Sequence, residues 1–176
     1  PVALMRYKEK VLPVRLYNGI PNISRQEINS AEALMEFELA NTIYKLTHNN
    51  KPMVAYSIGN GEPQVGSYIT YDLVENILRP NYSLFTFNLN TQPVIPDTFK
   101  LLMIVKPTQP FSELEKLRID QFLMRGGKLL LFVDKLNAEM DSLRIKNEVV
   151  AYDRGLELND LLFKYGARIN NDLVMD

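Results

Sequence analysis

The sequence predicts an α/β fold, a mostly parallel sheet with helices on both faces, and three observations predict it. From residue 51 onward, short β-prone runs alternate with helix-patterned stretches. Two of the runs, "LLMIV" at 101–105 and "KLLLFV" at 128–133, are almost continuously apolar, as strands buried on both faces of a parallel sheet are. Between them lies a stretch that opens on Ser112-x-x-Glu115 and closes on Gly126-Gly127, the start and stop signals of a helix. Strand, helix and strand in succession make a crossover unit, which is right-handed for L-amino acids.

Each element has a local reason. "VLPVRLYNG" reads as a short extended segment ending in the turn dipeptide Asn18-Gly19. "NSAEALMEFELANTIYKLTH" reads as a helix capped by Asn29 or Ser30, with Leu34, Phe37, Ala40, Ile43 and Tyr44 as an apolar stripe. Lys45 and His48 fall at its C-terminal end, where the helix dipole favours positive charge. "PMVAYSI" is a strand, and "QVGSYITYDLVENIL" a helix with Val65, Ile69, Leu73 and Ile77 on one side, stopped at Arg79-Pro80. "SLFTFNL" alternates, placing Phe85, Phe87 and Leu89 on one face. The proline-bearing loop "NTQPVIPDTFK" follows. Residues 137–152 carry no clear pattern. "LELNDLLFKYG" reads as a last helix with Leu158, Leu161, Leu162 and Tyr165, ended by Gly166, and "ARINNDLVMD" as a final extended piece. The chain thus divides into a strand-and-helix lead-in, 1–50, which belongs either to itself or to a neighbouring subdomain, and an α/β core domain, 51–176.

Composition narrows the chemistry. The 176 residues suffice for one ordinary domain, and 46% hydrophobic with 23% charged residues is the balance of a globular chain. A net charge of −1 provides no electrostatic footprint for nucleic acid. With no cysteine there is no disulfide, thiolate metal site or cysteine nucleophile; with His48 the single histidine, Ser-His-Asp catalysis and two-histidine metal sites are excluded. His48, in the polar "LTHNNKP", is read as a solvated or capping residue, and Asp172 and Asp176 lack the spacing of a calcium loop, so no metal and no cofactor is expected. No apolar run approaches the ~20 residues of a membrane span. The chain opens without an initiator methionine and stops where an extended segment begins, so a longer protein is expected, with targeting and anchoring segments beyond these ends.

The stretch "YSIGNGEP", Tyr56 to Pro63, is a glycine turn directly after a strand, the place where α/β proteins hold phosphate. It does not match a P-loop, and it matches only the first two glycines of the dinucleotide fingerprint, Gln64 standing at the third. A flavodoxin-like FMN loop is nearer in form. Yet Ser57 is its sole hydroxyl, and Glu62 puts negative charge where phosphate would sit, a repulsion of roughly 1 kcal/mol even in water at about 4 Å. The plain reading is a turn with Glu62 favourably placed for a helix dipole. The alternative is a small-ligand or flavin-binding enzyme using Gly59 to Glu62, and a third possibility is a purely structural assembly module.

Together "YSIGNGEP", the long "VIPDTFKLLMIVKPTQPFSELEKLRIDQFLMRGGKLLLFVDK" and the closing "LELNDLLFKYGARINNDLVMD" resemble the extracytoplasmic domain of GldG-type proteins, gliding-motility-associated auxiliary components of ABC transporters. The lead-in "ISRQEINSAEALMEFELANTIYKL", with Glu36-Phe37, is similar too, so the resemblance spans residues 23–176. In such proteins the turn commonly reads Gly-His-Gly-Glu; Gly59, Gly61 and Glu62 match, and Asn60 replaces the histidine. Phe132 to Asp134 also fit, although Lys135 stands where proline is usual. The resemblance implies a three-layer sandwich similar to the class I glutamine amidotransferases, without their cysteine and hence without their chemistry. It further implies a non-enzymatic, ligand- or partner-binding domain at the periplasmic face of the inner membrane. Transmembrane helices outside this sequence would anchor it beside permease and ATPase subunits.

In open α/β sheets ligands bind beyond the carboxyl ends of the strands. Those ends are predicted to carry Gly59, Asn60, Gly61 and Glu62, then Lys106 to Thr108, then Asp134-Lys135. The candidate contact residues for a small molecule, a peptide or a partner are therefore Gly59, Asn60, Gly61, Glu62, Lys106 and Asp134; either Glu62 and Asp134 converge there with Lys106, or, on the plainer reading, each merely caps or solvates a strand end. The aromatic set Tyr56, Tyr68, Tyr71, Phe85 and Phe87 is expected in the core.

Overall fold

The structure, a computed structural model, describes residues 2–15, 25–48, 50–138 and 150–172. The chain forms two compact units, Pro1–Lys51 and Pro52–Asp176.

In the first unit, β1 (Val2–Tyr7) and β2 (Lys10–Arg15) pair antiparallel, joined by a tight turn in which Lys8 has φ 53°. β1 is a strand the sequence patterning had not revealed, and Asn18-Gly19 lies outside the described residues. Helix α1 (Arg25–Thr47) begins earlier than a cap at Asn29 or Ser30 requires. The expected stripe is also displaced: Leu34, Phe37, Ile43 and Tyr44 are exposed, while Thr42 and Leu46, four residues apart, are buried. The buried Thr42 hydroxyl donates to the Glu38 carbonyl at 2.8 Å. His48 stays exposed, stacks on Tyr44 with ring centroids 4.2 Å apart, and sets Nδ1 3.2 Å from the Tyr44 carbonyl oxygen at the helix end.

The second unit is the predicted α/β sandwich. Four parallel strands, β3 (Met53–Ile58), β4 (Ser83–Asn88), β5 (Phe99–Val105) and β6 (Lys128–Phe132), lie in the order β4-β3-β5-β6. Alternation along β3 and β5 splits the core in two. Ala55, Leu102 and Ile104 face one side with Phe87, Leu89, and Ile119 and Phe122 of α3 (Glu113–Met124). Leu161 and Leu162 of α4 (Asn159–Lys164) complete that side. Val54, Tyr56, Met103 and Val105 face the other, under Val74 and Leu78 of a π-helix, Asp72–Leu78. β5 is buried on both faces, as "LLMIV" predicts.

Several expectations are corrected. "KLLLFV" is not buried on both faces: among the described residues β6 is an edge strand, Leu129, Leu131 and Val133 pack against the core, and Leu130 and Phe132 between them are 37% and 45% exposed. The helix after β3 begins at Asp72 rather than near Gln64, and as a π-helix. Its wider turn rotates the buried face by one residue to Thr70, Val74 and Leu78, so Ile69 and Ile77 are exposed while Val65 and Leu73 still pack against the core. The π-helix does stop at Leu78, directly before Arg79-Pro80, and a single α-turn, α2 (Arg79–Asn81), follows before the chain becomes extended at Tyr82. Residues 137 and 152 are in a short antiparallel pair, β7 (Leu136–Asn137) with β8 (Tyr152–Asp153), while 139–149 lie outside the described residues. So do residues 173–176, and with them Asp176 and the end of the final extended piece.

The capping box is present in full. Glu115 N–H donates to Ser112 Oγ at 3.4 Å and Ser112 N–H donates to Glu115 Oε2 at 2.8 Å.

Candidate functional site

The order β4-β3-β5-β6 means that the chain steps outward from β3 to β4, then returns across β3 to add β5 and β6 on the other side. The reversal lies between the carboxyl ends of β3 and β5, the position where doubly wound sheets open a crevice. The two loops leaving that point are 59–62 and 106–110. Asn60 and Gly61 meet Thr108 to Pro110 there and the crevice between the loops is laced shut, while Asp134 lies past the end of β6.

In the lacing every acceptor is a backbone carbonyl, and backbone amides and side chains donate. The Asn60 carbonyl accepts from Thr108 N–H and Gln109 N–H, both at 2.9 Å, and the Gly61 carbonyl accepts from Thr108 Oγ1 at 3.2 Å. Asn60, buried, donates from Nδ2 to the Pro110 carbonyl at 3.2 Å. On the other flank Asn90 Nδ2 donates to the Gly59 carbonyl at 3.2 Å, and Asn90 is itself held by Asn88 Oδ1 accepting its N–H at 2.8 Å. Gly61, at φ 77°, approaches so closely that a Cβ there would stand 2.0 Å from Thr108 Oγ1. Thr108 lay in the predicted strand-end stretch but was not a candidate contact, and Asn88, Asn90 and Gln109 were missed; the turn-forming "NLN" and "TQP" after two strands are the signal that could have found them.

Glu62 does not converge on Lys106. Its Oε2 turns back and accepts the Asn60 N–H at 2.7 Å, so the carboxylate takes a backbone donor that a phosphate would need. Beneath it Tyr56 is fully buried and donates its hydroxyl to the Pro63 carbonyl at 2.8 Å. Burial, and next the negative charge of Glu62, push the Tyr56 phenol up to about 12. Ser57 Oγ, Asn60 Oδ1 and Glu62 Oε1 are buried without a protein partner.

Lys106 and Asp134 do meet, at 3.1 Å, with both side chains about half exposed. Lys106 ends β5 at φ 45°, a strained backbone for a side chain with a Cβ, and its N–H donates to the Phe132 carbonyl at 2.7 Å. The expected core aromatics divide: Tyr56 and Phe87 are buried, while Tyr68, Tyr71 and Phe85 are exposed, Phe85 resting 6.0 Å from the Phe99 ring at the sheet edge.

A cavity of about 70 Å³ lies apart from the switch point, lined among others by Val133, Lys135, Asp153, Leu156, Leu158 and Ile169. That is far below the ~300 Å³ at which small-molecule sites begin, and is room for a few waters. Among the described residues no three His, Asp or Glu side chains gather to hold a metal, and no helix is long and apolar enough to cross a membrane.

A parallel sheet with its switch-point loops tied to each other, and its charges displayed at the strand ends, defines an α/β domain with a closed crevice. The chain matches the family model described as an ABC-type uncharacterized transport system over residues 47–176, nearly three-quarters of its length. It belongs to this family of ABC-transporter auxiliary proteins. No curated protein and no solved structure gives a significant match.

Proposed function

We propose that this domain is a non-enzymatic, extracytoplasmic partner-binding part of an ABC transport complex, of the GldG-like kind associated with gliding motility. It would stand at the periplasmic face of the inner membrane, held there by transmembrane segments outside this sequence, beside the permease, and its coupling to the ATPase would be indirect, through the membrane subunits. The family match over residues 47–176 carries the reading. The laced switch point fits it, because loops that hydrogen-bond to each other present a fixed surface for docking at little cost in ordering. Gly59, Asn60, Gly61 and Glu62 would shape that surface, and Lys106 and Asp134 would supply its polar rim.

The test is purification of the full-length tagged protein from native membranes, with mass spectrometry of what accompanies it. An ABC ATPase and a permease in comparable amounts are expected. Recovery of the protein alone, in the soluble fraction, overturns the transporter reading.

A second reading rests on the three orphan atoms. A hydroxyl, an amide oxygen and a carboxylate oxygen suit a small ligand rich in N–H donors rather than a flavin phosphate. Raised melting temperature with an ammonium- or amide-bearing ligand, and none with FMN, would favour it.

A further inference from the structure

Beside the closed switch point the chain displays an apolar knuckle. Tyr68 is 99% exposed, Ile69 67% and Tyr71 55%. Three large apolar side chains within four positions are seldom left in water unless something covers them. The display is rigid. Ser67 N–H donates to the Gln64 carbonyl at 3.0 Å and Thr70 N–H to the Ser67 carbonyl at 2.9 Å. The buried Thr70 hydroxyl donates to the Gln64 carbonyl at 2.8 Å and lies 3.2 Å from Ser67 Oγ. The knuckle leads straight into the π-helix, a local form often kept at functional sites.

Charge says what would cover it. Residues 52–78 contain Glu62, Asp72 and Glu75 and not one lysine or arginine. Asp72 adjoins Tyr71 and is exposed, its Oδ1 accepting from Asn76 Nδ2 at 3.0 Å and leaving Oδ2 for a partner's cation. Glu75 Oε1 would be 3.9 Å from a Cβ at Gly66, at the foot of the knuckle, and is partly offset by Arg79 at 3.2 Å. Exposed tyrosine faces and carboxylates side by side attract guanidinium and ammonium groups, by stacking over the ring and by ion pairing. The same carboxylates repel an anionic lipid surface.

We propose that the knuckle formed by Tyr68, Ile69 and Tyr71, with Asp72 and Glu75, is the docking surface for a basic, partly apolar segment of a partner protein. It rests on the partner-binding reading above and adds a location and a chemistry to it. Lysine or arginine of the partner stacks on Tyr68 or Tyr71 and pairs with Asp72, while an aliphatic side chain covers Ile69.

The experiment places a photo-crosslinking phenylalanine analogue at position 68 of the full-length protein in its own host, with the same analogue at exposed Phe163 as control. The crosslinked peptide is identified by mass spectrometry. The expected product from position 68 is one protein segment carrying at least two lysines or arginines, absent from position 163. Adding Asp72→Lys should cut its yield about tenfold, while the purified variant, having lost the first-turn charge and the Asn76 bond, melts only a few degrees lower. Crosslinks to lipid alone, to a second copy of this chain or to a segment without basic residues overturn the proposal, as does a yield no greater than at 163. If transporter subunits co-purify yet position 68 gives no product, the docking surface is refuted and the transporter reading stands. If position 68 captures a basic segment of a protein outside any transporter, the reverse holds.

Discussion

Gly61 has no room for a methyl group, and that makes the closed switch point testable at a single residue. A Cβ would sit 2.0 Å from Thr108 Oγ1 on a backbone at φ 77°. Gly61→Ala is expected to cost about 3 kcal/mol in urea unfolding, from overpacking and left-handed strain together. Gly155 has a similar φ of 62° with nothing within 4 Å, so Gly155→Ala should cost only about 1 kcal/mol. Tyr56 gives a second test through pH. An unfolded tyrosine loses its proton near pH ~10, and burial raises the folded value to about 12. The stability from the neutral phenol is therefore complete below the unfolded value and lost as pH rises through the folded one. Tyr56→Phe should cost about 1 kcal/mol near neutrality, from the bond to the Pro63 carbonyl, and should flatten the decline seen in the parent protein between about pH 10 and about 12. The glycines and Asn60 of this turn were legible because their residue types serve a turn. The direction of Glu62 was not: a carboxylate in a turn points the same way in sequence whether it faces a ligand or its own backbone.

At the scale of elements, α3 and α4 are tied by three contacts across 44 or 45 residues of sequence. Lys116, buried, meets Asp160 at 2.7 Å and Glu113 at 2.5 Å. Asp120 accepts from Lys164 at 2.9 Å and from the Tyr165 hydroxyl at 2.6 Å. Lys116 holds the Asp160 carboxyl below its ordinary range, and Lys164, with Tyr165, does so for Asp120. Both folded values lie below the unfolded ones, so this stabilisation is complete above about pH 4 and is lost as pH falls through the folded values. Acid titration followed by thermal melting should show the loss, and the double variant Asp120→Asn, Asp160→Asn should lack that part of it. The Ser112–Glu115 box that starts α3 was legible from four residues because its bonds are local. The π-helix and the edge position of β6 were not. The first depends on how Thr70, Val74 and Leu78 seat on β3 and β5, and the second on which strand comes to lie outside.

For the whole molecule, the Lys106–Asp134 pair separates stability from function. Both side chains are half exposed, so water screens the attraction, and Lys106→Ala or Asp134→Ala should shift unfolding by less than about 0.5 kcal/mol. If the rim of the switch point is a contact surface, the same variants reduce recovery of transporter subunits with the full-length protein, and unchanged recovery removes these residues from that role. Local sequence determined much of this protein. Alternation and apolar runs specify strands and helices, turn residues specify where the chain reverses, and the lack of cysteine with a single histidine restricts the chemistry. Those are properties of neighbours along the chain. Only the tertiary structure decided the order β4-β3-β5-β6, the loops that close the switch point, and which apolar side chains remain outside. Each of these depends on residues 30 to 50 positions apart meeting in space, such as Asn60 with Pro110, and a hydrophobic pattern names a face without naming what covers it.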